Sequence, residues 1–376
     1  MLERRLLGNV PWGMVALIIG IALIGLSAVY STTYTASGLS SLFKKQLIWI
    51  CLGLIVMFAA LVPDYHTVGR YAYVLYALSI FFLLLVAIVG KTGMGAQRWL
   101  PIGPFAFQPS ELAKLSLVLA LARYFAEDPK GGGYELRDLL VPGAMVLVPL
   151  VLVMKQPDLG TALMLLFTSS LIVILAGIRF KTVMTVVVIG ALVASAVFLV
   201  APVRQKIWKS LKPYQQKRIT AFIDPSSDPL GSGYHATQAK IAVGSGQTTG
   251  KGFRKGTQGQ MAFLPERHTD FIFAVIAEER GFIGASFLIN LYLVLLLAGV
   301  DAAKSAKDKI GALMAGGIVS MLSLYVFINV GMATGILPVV GVPLPLVSYG
   351  GTSIVTTFLA LGLLLNIQTR RFMLFY

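Results

Sequence analysis

Apolar runs close to twenty residues long recur along this chain, and no other feature limits its fold as tightly. A helix needs about 20 apolar residues to cross a bilayer. Ten segments qualify, at roughly 12–30, 46–62, 72–90, 111–126, 139–154, 160–177, 182–201, 281–300, 310–330 and 351–367. Mean hydropathy is +0.81 and 12% of the residues are charged, against about 25% in a soluble domain. Lipid offers no hydrogen bonds, so only helices or closed barrels can span it. Strand signals are absent from the sequence. The expectation is an all-α integral membrane protein: one polytopic domain, 1–376, holding a large loop at 202–280.

Basic residues in the short loops orient such a bundle. With the N-terminus inside, Arg4, Arg5, Arg70, Arg123, Lys130, Arg137, Arg179, Lys181, Lys304, Lys307, Lys309, Arg370 and Arg371 fall on the cytoplasmic side. Only Lys44, Lys45, Lys91, Arg98 and Lys155 fall opposite. Both termini are therefore expected in the cytoplasm and the large loop outside. The first run, Trp12 to Tyr30, is longer than a signal-peptide core and reads as a retained span. The net charge of +15 points to anionic lipid or an anionic substrate. Its scatter between spans argues against nucleic acid. The single cysteine, Cys51, excludes an internal disulfide and a cysteine metal site.

Inside the large loop, Arg204 to Arg218 alternates cations with Trp208, Leu211 and Tyr214. This reads either as a surface-lying amphipathic segment or as a solvated basic helix. Asp224 to Pro229 is a turn cluster, and Gly244-Ser245-Gly246 marks a turn or a close backbone approach.

Four polar stretches share the outer side. The first runs from Gly95 to Pro104, with Arg98 and Trp99, and continues as Gln108-Pro109-Ser110-Glu111-Leu112-Ala113-Lys114. Ser110 is placed to cap the following helix. Glu111 and Lys114, three apart, share a helix face. They form either a local ion pair or a charged cavity wall. As an exposed pair they would contribute only about 0.3–0.5 kcal/mol. The second stretch, Lys155 to Thr161, contains Asp158, a candidate cap or site carboxylate. The third is Phe263 to Glu279: Glu266, Arg267, His268, Thr269 and Asp270 directly precede a short apolar run. Asp270 can cap that run or act chemically. The fourth, Gly335 to Ser353, is rich in Gly and Pro and includes Ser348. Non-helical backbone at membrane depth needs protein or a wet cavity around it.

Many cations and few carboxylates facing an opening to lipid suit a substrate with a diphosphate and a lipid tail. Cations can neutralise a diphosphate leaving group, and a carboxylate can take a proton from a hydroxyl. The chain has no Ser-His-Asp pattern, phosphate-binding glycine loop or His/Cys metal spacing.

At these residues the sequence resembles the SEDS family (shape, elongation, division and sporulation) over nearly its whole length. Phe-Leu-Pro-Glu-Arg-His-Thr-Asp-Phe-Ile-Phe-Ala at 263–274 is closer to the rod-shape branch, RodA, than to the division branch, FtsW. The resemblance implies a peptidoglycan glycosyltransferase that polymerises lipid II on the outer face of a bacterial cytoplasmic membrane. It implies Asp270 as the essential aspartate. It implies cavity residues at Arg98, Trp99, Glu111, Lys114 and Asp158, with Glu266, Arg267, His268, Thr269 and Ser348 in the matching motifs. It also implies a class B penicillin-binding protein as partner, within the elongation machinery. The expected chemistry has Asp270 as general base, giving inversion and a β-1,4 link. Arg98, Lys114 or a divalent cation, Mg²⁺ or Mn²⁺, would balance the diphosphate; the ligands of such a metal are not readable from sequence. Two other readings are a lipid II flippase and a non-catalytic scaffold for the penicillin-binding protein.

Overall fold

A computed structural model describes residues 8–34, 39–93, 96–102, 105–211, 213–224, 228, 231–260, 264 and 266–372. Arg4 and Arg5, Gly95, Gly103 and Pro104, the turn residues 225–227 and 229, and Phe263 and Pro265 lie outside the described residues.

Each of the ten apolar segments is helical. In chain order the helices are α1 (Trp12–Thr33), α2 (Ser41–Ala59), a short α3 (Tyr65–Arg70), α4 (Ala72–Val89), α5 (Pro109–Glu127), α6 (Leu140–Lys155), α7 (Leu159–Gly177) and α8 (Phe180–Leu199). The loop region adds α9 (Ala201–Ser210), α10 (Pro213–Ile223), α11 (Ser232–Ser245) and α12 (Thr257–Gln260). Three long helices close the chain: α13 (Ile272–Lys304), α14 (Lys309–Thr334) and α15 (Gly351–Thr369). Among the described residues eight helices are long and apolar enough to cross a membrane: α1, α2, α4, α6 together with the 3-10 turn before it (Leu136–Lys155), α7, α13, α14 and α15. The chain is a multi-pass membrane protein.

Burial separates a centre from a lipid-facing rim. The apolar windows of α15 and α14 are 72% and 61% buried, while that of α6 is 17% buried. Helix α5 belongs to the centre although it is the least apolar of the ten. Its residues from Ala113 to Ala122 are all buried, Lys114 and Ser116 among them. Polar groups at that depth need partners inside the protein, and the next section locates them.

Helix α13 is two helices joined at Gly281, whose φ of 65° and ψ of −167° only glycine adopts readily. Ile272 to Glu279 are all buried, whereas Phe282 and Ile283 face outward. The break thus divides an interior helix of about two and a half turns from a lipid-facing span. Four backbone bonds lace it to the loop after α11: Lys251 N to Glu278 O, Gly252 N to Glu279 O, Phe282 N to Gln247 O, and Ile283 N to Thr248 O. The wholly buried Glu278 carboxylate accepts from Lys251 Nζ at 2.7 Å and from the backbone N–H groups of Thr257 and Gln258. The sequence leaves Glu278 and Glu279 open as external carboxylates; the fold uses Glu278 as a staple.

Two expectations are corrected. Strands do occur: β1 (Lys91–Gly93), β2 (Ala96–Ile102) and β3 (Phe105–Phe107) form a small antiparallel sheet in the order β1-β2-β3. They are too short and too rich in Gly and Pro nearby to show an alternating pattern. Ser110 is not a cap. Helix α5 starts at Pro109, which suits a first helical position because it has no N–H to satisfy. Ser110 is then one residue inside the helix, and its hydroxyl is buried.

Candidate active site

The polar knot before α13 is a tight turn. Glu266 takes a left-handed φ of 52°, uncommon for a residue with a side chain. Thr269 N donates to Glu266 O at 3.1 Å, and Thr269 Oγ1 to Glu266 Oε2 at 3.0 Å. The loop between α14 and α15 is stitched onto this turn. Ser348 Oγ donates to Thr269 O at 2.6 Å and accepts from Leu344 N at 2.8 Å. Tyr349 N donates to His268 O at 2.8 Å, and the two rings meet edge-on. Burial lowers the affinity of His268 for a proton, so it is neutral at pH 7 and not a standing cation. Ser348 and Thr269 therefore hold the loops together, which is a scaffolding duty.

A buried amide ties the two loops to the bundle. Asn329 Nδ2 on α14 donates to Asp270 O at 2.9 Å and to Val342 O at 2.7 Å. One helical turn away, on the same face of α14, Tyr325 Oη donates to Glu111 Oε2 at 2.8 Å. Glu111 Oε1 in turn accepts from Lys114 Nζ at 2.7 Å, and that ammonium lies 4.5 Å from the Tyr325 ring centroid. The pair is no exposed surface feature: the side chains are 5% and 2% accessible. It sits about 6 Å deeper along α14 than the Asp270 backbone, by the rise of one turn.

Asp270 is placed for chemistry. It does not cap α13, whose N-cap is Phe271 with no side-chain hydrogen bond. Its Oδ2 lies over Gly341, where a Cβ would stand only 3.3 Å away; Gly341 also needs its φ of 76°. Among the described residues no hydrogen bond reaches the Asp270 carboxylate. Burial, then the negative charge of Glu266, push its pKa up to about 6, against the pull of Arg218 and Arg98.

Those two arginines reach the site from different elements, β2 and α10. Arg98 leaves β2 and clasps the α6–α7 connection, donating to Gln156 O at 3.3 Å and Pro157 O at 2.5 Å. Its Nη1 is 3.6 Å from Asp158 Oδ2. Asp158 also caps α7, accepting from Thr161 N at 3.1 Å, as one of its two sequence readings expects. Arg218, on α10, donates to Val340 O at 3.2 Å beside Gly341. Asp270, Glu266, Asp158, Arg98 and Arg218 are thus brought to one place. Trp99 follows Arg98 in a strand and leaves the opposite face. Arg267 is half-buried in the turn.

Sequence reasoning missed Arg218 and Asn329. Arg218 is hidden among the cations of 204–218. Asn329 carried a readable signal: it is a lone amide in the apolar run Tyr325 to Val330, and polar groups at such depth hold something in place. Among the described residues no group of three metal-ligating side chains is found.

The FtsW/RodA/SpoVE family, described as a cell cycle protein, matches residues 9–372. The chain belongs to this family. It is 41% identical over 361 residues to the peptidoglycan glycosyltransferase MrdB of Escherichia coli, covering 95% of this chain and 94% of that one. It is 36% identical to the stage V sporulation protein E of Bacillus subtilis, over 92% of this chain and 93% of that one. Among solved structures, a chain from a peptidoglycan synthase complex coordinating polymerization and crosslinking matches with a TM-score of 0.81 and 32% identity, over 96% and 98% of the two chains. The rod shape determining protein RodA of Thermus thermophilus matches with a TM-score of 0.69 and 30% identity, over 97% and 98%. The resemblance to the rod-shape branch of SEDS proteins is borne out.

Proposed function

We propose that this chain is a peptidoglycan glycosyltransferase that polymerises lipid II for cell elongation, with Asp270 as its general base. The observation that supports this most is the Asp270 carboxylate: partly accessible, free of hydrogen bonds among the described residues, and raised in pKa between two arginines. A structural aspartate would be capped or paired. The acceptor is the GlcNAc 4-hydroxyl of an incoming lipid II. Asp270 takes its proton as the oxygen bonds to the donor anomeric carbon, and the bond from that carbon to the lipid diphosphate breaks. Attack opposite the leaving group inverts the centre, through an oxocarbenium-like state. Arg98 and Arg218 balance the departing diphosphate. Lys114 is the poorer choice, because Glu111 already neutralises it. Mg²⁺ is commonly held by one or two carboxylates plus substrate phosphates. Glu266 suits that pattern beside the base, and a bound Mg²⁺ or Mn²⁺ would add charge neutralisation at the diphosphate.

The flippase and scaffold readings are less favoured, since relatives that this chain matches are named peptidoglycan glycosyltransferases. We place the protein in the bacterial inner membrane, with the Asp270 site outside and both termini in the cytoplasm. A class B penicillin-binding protein is its proposed partner within the elongation machinery, in keeping with the match to a synthase complex.

The test is the pH dependence of lipid II polymerisation by the purified protein. The base must be deprotonated, so activity should hold above about pH 6 and fall roughly tenfold per unit below it. A profile flat down to pH 4.5 contradicts Asp270 as base. Topology is tested separately, after Cys51 is replaced. Cysteines at the exposed positions Lys155, Lys255 and Ile336 should react from outside, and those at Lys130 and Lys307 only from the cytoplasm. Reversed labelling overturns the placement.

A further inference from the structure

Away from Asp270, a groove opens between α1 and α13 around the Gly281 break. Ile24, Ala28, Phe253, Ile276 and Phe287 form the apolar wall of a space of about 110 Å³, and Ser27 and Glu279 line it as well. Phe282, Ile283 and Phe287 are exposed large apolar side chains on a spanning helix, so this surface faces hydrocarbon.

A cation stands in this apolar groove. Arg280 lines it, with its stem over Gly284; a Cβ on that glycine would come within 2.2 Å of Arg280 Cβ. Its guanidinium is 5.7 Å from the Phe253 ring centroid. Among the described residues Arg280 forms no ion pair. The Glu279 carboxylate lines the same groove, accepting from Ser31 Oγ and from the backbone N–H of Arg254. Arg254, turned by a left-handed φ of 59°, lays its own guanidinium 3.6 Å from the Tyr34 ring centroid. Tyr30 links the two arginines, meeting Tyr34 at 5.6 Å and stacking on Phe253 at 6.2 Å. Aromatic rings with cations at the end of a span mark the headgroup level of a bilayer.

We propose that this groove is a binding site for one anionic phospholipid, with an acyl chain along its apolar wall and the phosphate on Arg280 and Arg254. Two exposed guanidinium groups against the one Glu279 carboxylate leave a net positive charge at the mouth of an apolar groove, which an anionic headgroup complements. A free phosphate has no tail to fill the groove, and a zwitterionic lipid brings its own cation to the same place. The site is separate from the Asp270 cluster and does not depend on the reading of its chemistry.

The test is a native mass spectrometry titration of the delipidated full chain with phosphatidylglycerol and with phosphatidylcholine of the same acyl chains. Phosphatidylglycerol should bind about tenfold more tightly. Arg280→Gln should weaken phosphatidylglycerol about fivefold, Arg254→Gln about as much again, and leave phosphatidylcholine unchanged. Ala28→Phe, which fills the groove, should weaken both lipids. Should that variant fail to fold, the two Gln variants, at exposed cations, decide alone. Equal binding of the two lipids by the wild type overturns the proposal. So does a preference that survives both Gln variants. Glycerol phosphate competing as well as the whole lipid would leave an anion site without a lipid groove, which also overturns it.

Discussion

Asp270→Asn yields a folded protein that forms almost no glycan. Asparagine keeps the size of the side chain and its fit over Gly341, but it cannot take a proton at neutral pH. Losing a general base costs on the order of 10²–10⁴ in rate. Unfolding cannot supply that loss, and the sign is clear. The folded-state pKa is about 6, while an unfolded aspartate titrates near 3.9. The folded state therefore binds the proton more tightly, and this group's contribution to stability declines as pH rises from about 4 to about 6. A neutral amide removes that decline, so the variant should melt no lower than wild type at pH 7. Asp270→Glu should also be impaired, because the extra methylene pushes the carboxylate against Gly341. The check is polymer formed per folded molecule, alongside a melting curve. Normal activity in Asp270→Asn leaves an enzyme without this base.

Lys114→Met should destabilise the bundle strongly, the opposite of what an exposed pair would do. Both side chains are at most 5% accessible, and removing the ammonium leaves the Glu111 carboxylate charged with, among the described residues, only Tyr325 Oη to serve it. Breaking a buried pair costs about 3–5 kcal/mol. Removing both charges at once, in Glu111→Gln with Lys114→Met, should restore most of that. Thermal unfolding in detergent separates the outcomes: a large drop for the single variant and a recovery for the double. A single variant that melts like wild type but polymerises poorly would return Lys114 to the diphosphate.

The bundle is legible in the sequence because apolar length alone specifies it: each of the ten runs became a helix. The motifs around Asp270, Asp158 and Ser348 are legible because Gly, Pro and charge at membrane depth demand a protein-lined place. Depth itself is not legible. Glu111 and Lys114 look like a surface pair, since i,i+3 spacing is the same buried or exposed. Arg218 reaches the site from a run of cations that nothing in the sequence ranks one above another. Asn329 acts on residues 59 positions earlier and 13 later, a contact that only the fold of α14 against both loops creates. The small sheet at Lys91–Phe107 escapes notice because two of its strands have only three residues and the third, Ala96–Ile102, does not alternate apolar with polar.

The most direct measurement is glycan formation from lipid II by the purified wild-type protein in detergent, with its transpeptidase partner present and every other polymerase absent. The account predicts polymer, resolved as a ladder of strands, that disappears when Asp270→Asn is used in the same assay. Transport of lipid II across vesicles with no polymer from the wild type, or no product of either kind, would contradict it.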